Sequence, residues 1–317
     1  MITKIVNYFA RKKLLRYKNV NAIGIGNKVT ANLNTGKKCI KVFVTKKQKQ
    51  PKDIVPKRIL GIKTDVEEIG EIKLQKDTKR YMPLQGGCSI GHRAITAGTL
   101  GCIVYKKGVW DADTGDYIIS PSAFNRFFSK FKLSTTDVPF ILSNNHVLAD
   151  SSYDTNMDKR GSHIYQPGPL DGGTAPAIAY LYDYMPYNVS KNYADCAIAK
   201  PVGDVHNDIL EIGAIKGISS AFIGQIVKKR GRTTGFTTGS VKATDVLINV
   251  KVKDKTIPFY NQIIASPMSA GGDSGSLVLD MDNMAVGLLF AGSTSATILT
   301  PIQRVLDELD VYFKEVN

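Results

Sequence analysis

The apolar positions of this chain fall in short runs, and their spacing changes along its length. Near the start, Ile2, Ile5, Val6 and Phe9 recur at helical intervals among basic residues and predict a short amphipathic helix. NVNAIGIGNKV (19–29) and KKCIKVFVTKK (37–47) then read as Val- and Ile-rich strands joined by a polar Asn-Thr-Gly turn. The segment GIGN has the glycine spacing of a phosphate loop, but no helix pattern follows it, so the hairpin reading is preferred. Residues 51–72 carry two prolines and then apolar pieces suited to a short helix and a strand. A small α+β unit is thus expected over residues 1–80, with MPLQGG (82–87) as the linker. From Cys88 onward the pattern becomes many short strands broken by Gly, Asn and Ser. Among them are FILSNNHVLA (140–149), DCAIAKPV (195–202), QIVKKRGRTTG (225–235) and MAVGLLFAGS (284–293). Such spacing predicts an all-β sandwich or a pair of barrels over residues 81–317. Ile302, Val305, Leu306, Leu309 and Phe313 form a helical stripe that predicts a C-terminal helix.

Composition adds limits. With 317 residues, 43% hydrophobic and 22% charged, the chain can bury an ordinary core. No apolar run approaches the roughly 20 residues of a membrane-crossing helix. The first residues lack the apolar stretch and small-residue cleavage site of a signal peptide, so a cytoplasmic location is expected. Four cysteines (Cys39, Cys88, Cys102, Cys196) show no C-x-x-C spacing, which predicts free thiols, no metal site and no cofactor. The net charge of +14 is uneven: residues 1–80 hold 21 Lys/Arg against 6 Asp/Glu, and the remainder is near balance. That asymmetry is read either as a solvated Lys-rich surface or as a face for nucleic acid, an anionic membrane or an acidic protein.

The candidate chemistry gathers around AGGDSGSLV (270–278). Glycines on both sides of Ser274 allow a bend that side chains would forbid. A serine on such a bend serves as a nucleophile or as a plain turn residue, and the first role needs a base and a group that orients the base. His146 stands at the end of an apolar strand, where a side chain can be presented to a cleft. Asp195 directly precedes an alternating apolar strand, which suits a carboxylate buried at the mouth of a sheet. His146, Asp195 and Ser274 follow in that order, 49 and 79 residues apart. His92 is read as structural, with a Cys88–His92 thiol pair as the rival reading, and His163 and His206 as exposed. Cys196 is expected to face away from Asp195 into the core.

SNNHVLA, DCAIA, RGRTTGFTTG, GGDSGSLV and VGLLFAGS, in this order, resemble the trypsin-like (chymotrypsin-fold) serine proteases. GGCSIGHRAITAGTLGC, QPGPLDGG and the N-terminal GIGNKV/KVFVTKK unit are similar to an intracellular bacterial branch, whose plan the plant narrow-leaf proteases share. The resemblance implies a mainly β, chymotrypsin-like double β-barrel, with the N-terminal α+β domain and the C-terminal helix added. It also implies a serine endopeptidase acting on a protein or peptide without a cofactor. His146 would be the base, Asp195 its orienting carboxylate and Ser274 the nucleophile. The N–H groups of Gly272 and Ser274 would form the oxyanion hole. Met268 and Ser269 would lie at the base of the main substrate pocket, with Phe290, Ala291 and Gly292 along its wall. The absence of an acid there points to a medium apolar residue before the cleaved bond.

Two departures from the family pattern follow. Asp273 has no freed N-terminus to pair with, and secreted bacterial relatives use a basic residue on the RTTG strand instead. Lys229, Arg230 and Arg232 are therefore the candidates, and an unpaired Asp273 would leave a latent enzyme. The cysteines that staple secreted relatives are missing, and Thr238 stands at one such place. The competing reading is a regulatory protein whose basic domain engages an anionic partner while the protease-like domain is inert. A homo-oligomer is compatible with either.

Overall fold

The structure, a computed structural model, describes residues 2–30, 33–48, 52–69, 79–94, 97–111, 116–119 and 135–314. The chain divides into two compact units, Met1–Leu74 and Gln75–Asn317.

In the first unit the helix Ile2–Leu14 buries Val6, Ala10 and Leu14, one side chain per turn, against Ile23, Ile40 and Val42 of a four-stranded sheet. Phe9 lies off that stripe and is half exposed, while the side chains of Ile2 and Ile5 from the predicted stripe lie outside the described residues. Val20–Thr30 and Leu33–Val44 pair antiparallel. Asn34-Thr35-Gly36 is not their turn but sits inside the second strand, where pairing jumps from Asn27–Lys38 to Val29–Asn34. Gly36, at φ 67°, supplies the left-handed backbone that this bulge uses. Over residues 52–69 there is no helix. Arg58–Ile59 and Ile62–Glu68 form a hairpin around Leu60 and Gly61, both at positive φ, the geometry of a type I′ turn.

The second unit is mainly β. Ser89–His92, His163–Tyr165, Ala179–Tyr184, Ala197–Pro201, Thr136–Ser143 and Cys102–Asp111 lie side by side in one curled sheet. Gly98–Thr99 pairs with Ser89–His92 and runs on through Leu100 into Cys102–Asp111, so the same ribbon touches both ends of the sheet. The Leu100 N–H donates to the Cys88 carbonyl at 2.9 Å and the Gly101 N–H to the Leu142 carbonyl at 2.8 Å, closing the first barrel. The second barrel runs Met284–Gly292, Leu277–Asp280, Ile226–Gly231, Gly235–Val252, Lys255–Ala265 and Thr297–Pro301. It closes where the last of these strands pairs with the first.

Strand alternation fills three cores at once. Ile141 and Ala197 point into the first barrel, and Val278 points into the second. Their neighbours Leu142, Cys196, Ile198, Leu277 and Leu279 meet between the barrels. The helix Ile302–Leu309 adds Ile302, Val305, Leu306 and Leu309 to that middle layer, while Phe313, the last residue of the predicted stripe, lies beyond the helix and packs partly buried against the same layer. This is the double barrel with a C-terminal helix that the resemblance implies. MPLQGG is not a free linker: Leu84–Gly86 pairs in parallel with Val205–Ile209, and Leu84 is buried. All four cysteines are buried, and among the described residues none is joined in a disulfide.

Candidate active site

His146 does not lie on the strand itself. Thr136–Ser143 ends at Ser143, Asn144 keeps extended backbone, and Asn145–Leu148 forms one helical turn carrying His146. Each residue of the SNNH run has a separate fixing role. Ser143 donates to the Thr99 carbonyl at 2.7 Å, and the Asn144 amide donates to the Asp195 carbonyl at 2.7 Å. Asn145 donates to the carbonyls of Ser152 and Met185. Asp195 Oδ2 lies 2.6 Å from His146 Nδ1, and its Oδ1 accepts the His146 backbone N–H at 3.4 Å. With Asp195 buried and His146 partly open, the imidazole is held by its inner nitrogen while its other edge remains accessible. Cys196 turns the other way, into the core between the barrels, and burial pushes its thiol pKa well up.

Ser274 reaches the same region from the second barrel. Its carbonyl accepts the Thr99 N–H at 2.8 Å. Gly98 is squeezed between Val147, the neighbour of His146, and that same carbonyl, so a Cβ there would clash with Val147. Gly101 lies directly on the Gly275 carbonyl, and a Cβ at Gly275 would strike Ser143 and the Thr99 carbonyl. Ser274 Oγ donates to the Phe290 carbonyl at 3.4 Å, and among the described residues no hydrogen bond joins it to His146. Engaging the imidazole therefore requires the hydroxyl to leave the Phe290 carbonyl by rotation about χ1.

The loop around Ser274 is held by Asp273. Its carboxylate accepts the N–H groups of Thr233 at 2.8 Å and Ala270 at 3.0 Å, and the Thr234 hydroxyl at 2.6 Å. Of the three basic candidates, Lys229 is the one that pairs with it, at 3.1 Å, with both side chains fully buried. Burial alone would push the Asp273 carboxyl up, but the Lys229 ammonium and these donors outweigh it and hold the pKa low. Arg230 points elsewhere and donates to the Gly87 carbonyl. Arg232 forms a two-pronged pair with Asp171, whose carboxylate also accepts the Ser89 hydroxyl. Gly272, at φ 99°, packs against Thr233 and Arg232 with no room for a Cβ. Among the described residues neither the Gly272 nor the Ser274 N–H has a protein acceptor. Two donors in the serine loop are thus left open.

Two cavities meet along Ala291–Gly292–Ser293. The larger, about 570 Å³, is lined by His146, Asp195, Tyr187, Phe259, Phe290 and Ile298. The smaller, about 340 Å³, is lined by Ser269, Ser274, Leu289, Ala291, Gly292 and Thr294. Of the five pocket residues expected from the sequence, Ser269, Ala291 and Gly292 line this cavity. Met268 is buried beneath it against Gly239, and Phe290 faces the larger cavity instead. The Cys88–His92 pair does not form: His92 Nδ1 accepts the Ala94 N–H, and Cys88 contacts Gln85 and Gln166. Among the described residues no group of three His, Cys, Asp or Glu side chains could hold a metal ion.

Two curated proteins align with parts of the chain. One is Serine protease 1 of Streptomyces fradiae, 32% identical over 103 residues, which are 31% of this chain and 27% of that protein. The other is Glutamyl endopeptidase 2 of Streptomyces griseus, 32% identical over 128 residues, 38% of this chain and 62% of that one. By sequence, these parts of the chain are similar to two serine-type proteases of Streptomyces. It spans less than two thirds of the length of either curated relative. Among solved structures, Thermobifida fusca Protease A aligns over 74% of this chain and 99% of that one, at 16% identity and a TM-score of 0.48. No protein-family model matches the chain.

Sequence reasoning missed Thr233, Thr234, Asp171 and Thr99, all of which fix the Ser274 loop. Thr233 and Thr234 lie inside the RTTG run that it did single out. Asp171 and Thr99 lie inside the QPGPLDGG and GGCSIGHRAITAGTLGC motifs already singled out, but about a hundred residues or more from the loop, so nothing in the sequence links them to it.

Proposed function

We propose that this protein is a serine endopeptidase whose reaction uses His146, Asp195 and Ser274. The observation that carries the reading is the 2.6 Å contact between Asp195 and His146, placed beside a serine loop with two unaccepted N–H groups. In this reading Ser274 Oγ rotates to His146, gives up its proton and attacks the peptide carbonyl. Asp195 holds the tautomer in which Nε2 accepts that proton and stabilises the imidazolium. The N–H groups of Gly272 and Ser274 hold the developing oxyanion, and His146 then protonates the departing amine. Water, activated by the same imidazole, releases the acyl group. The Lys229–Asp273 pair supports an enzyme that needs no freed N-terminus to shape its loop.

The smaller cavity would accept the side chain before the cleaved bond. Its lining is uncharged, with hydroxyls at Ser269 and Thr294, which favours a neutral residue of medium size over Lys, Arg or Glu. The test is intact-mass analysis after incubation with a fluorophosphonate, with wild type beside Ser274→Ala and His146→Ala. A single adduct that both variants lose is expected, and a folded wild type that takes up no adduct would overturn the reading.

A further inference from the structure

Gly272 sits between two peptide units, and each is fixed by a hydroxyl. The Thr233 hydroxyl donates to the Gly271 carbonyl at 2.8 Å, and the Thr99 hydroxyl donates to the Gly272 carbonyl at 2.9 Å. Neither hydroxyl is free to turn the other way, because Arg232 occupies the acceptor side of both. Its Nη1 donates to Thr233 Oγ1 at 3.0 Å and its backbone N–H donates to Thr99 Oγ1 at 3.0 Å. A hydroxyl that accepts from such a donor directs its own single proton to the remaining carbonyl. Arg232 is itself fixed: its Nε donates to Asp171 Oδ2 at 2.6 Å, both side chains are almost fully buried, and Ser89 donates to the same oxygen at 2.7 Å.

In a trans peptide the C=O and the following N–H point in opposite directions. Holding the Gly271 carbonyl on Thr233 therefore aims the Gly272 N–H away from Thr233, on the side of the peptide where no protein acceptor meets it. A turn of that one peptide would point a carbonyl where the donor now stands. It would also break the Thr233 bond and leave a hydroxyl beside the buried guanidinium without its acceptor. Glycine at 271 and 272 makes such a turn sterically cheap, so something other than side-chain bulk must prevent it.

We propose that Thr233 is a positioning residue that keeps the Gly271–Gly272 peptide in the orientation required for oxyanion stabilisation, with the Asp171–Arg232 pair fixing the direction of its hydroxyl. This rests on the reading of the site as a serine endopeptidase. It predicts an oxyanion hole that is already formed before substrate arrives.

The experiment compares wild type, Thr233→Val, Thr233→Ser and Asp171→Asn by steady-state kinetics on a peptide p-nitroanilide, by inhibition with a peptide boronic acid, and by thermal melting. Loss of one oxyanion donor costs about a hundredfold or more in kcat, so a misdirected donor in Thr233→Val should lower kcat about tenfold to a hundredfold. KM should stay within about threefold, because the donor acts on the transition state. Boronate affinity should fall in parallel with kcat, Thr233→Ser should restore both, and Asp171→Asn should show a weaker form of the same split. If Thr233→Val does not fold, Thr233→Ala is read by the same criteria. A valine or alanine variant with wild-type kcat and boronate affinity overturns the inference, as does a serine variant that fails to restore them. A change in melting temperature without the kcat and boronate effect also overturns it. Failure of the underlying reading is distinct, since wild type itself would then neither turn over the substrate nor take up a fluorophosphonate.

Discussion

Lys229 and Asp273 form a buried ion pair with no water-exposed surface on either side chain. Removing one member of such a pair leaves a charge without compensation, so Lys229→Met should destabilise the fold by about 3–5 kcal/mol. The sign with pH is also determined. Asp273 is held low in the folded state, so in wild type it contributes stability above its unfolded pKa, and that contribution is lost as pH falls through the folded value. Without Lys229 burial would raise the carboxyl, so the variant is penalised at neutral pH. The gap to wild type should narrow as pH falls from 7 to about 4, where the unfolded carboxyl begins to be protonated and the penalty on the variant is lost. Guanidinium titrations of both proteins at pH 7 and pH 4 measure this, and an equal gap at the two values would contradict it. The resemblance implied a cation for Asp273, with an unpaired carboxylate as the alternative, but could not choose among three candidates. Period-two alternation sends Lys229 and Arg230 to opposite faces without saying which face holds the aspartate. Arg232 lies past the strand end, and its partner Asp171 is 61 residues away.

At the scale of elements, the C-terminal helix seals the layer between the barrels with four buried side chains. Leu306→Ala should therefore cost about 2–5 kcal/mol, read from a denaturant midpoint with unchanged slope. A cost below 1 kcal/mol would mean that the layer collapses around the gap. This helix was legible because its stripe runs for two full turns. The turn carrying His146 was not, since four residues are too few for a 3.6-residue period to show against the apolar strand before it. The hairpin at Arg58–Lys63 was misread as a helix and strand for a related reason. Its signal is the left-handed pair Leu60-Gly61, and leucine is an uncommon residue for such a backbone. In the same way the Asn-Thr-Gly turn moved into a bulge, because its residues suit either geometry.

For the whole molecule, stability comes from packed barrels rather than covalent staples. The four thiols are buried and, among the described residues, not joined in disulfides, with burial raising the pKa of Cys39, Cys102 and Cys196. Folded protein should therefore resist a thiol-reactive disulfide reagent, titrate four thiols in denaturant, and melt at the same temperature with or without reductant. Reaction in the native state or a reductant-dependent melt would contradict this. The double barrel was expected from the spacing of strands and from the family motifs. The main-chain contact beside the cleft was not, because side-chain patterning does not mark it. Where Gly101 rests on the Gly275 carbonyl and the Thr99 N–H meets Ser274, main chain from one barrel touches main chain from the other. The approach of the histidine and serine arms is thus fixed by main chain that comes this close only because glycine stands at 98, 101 and 275. Substitutions that repack either barrel interior can accumulate without changing that approach, and divergence in the cores is decoupled from the geometry of the cleft.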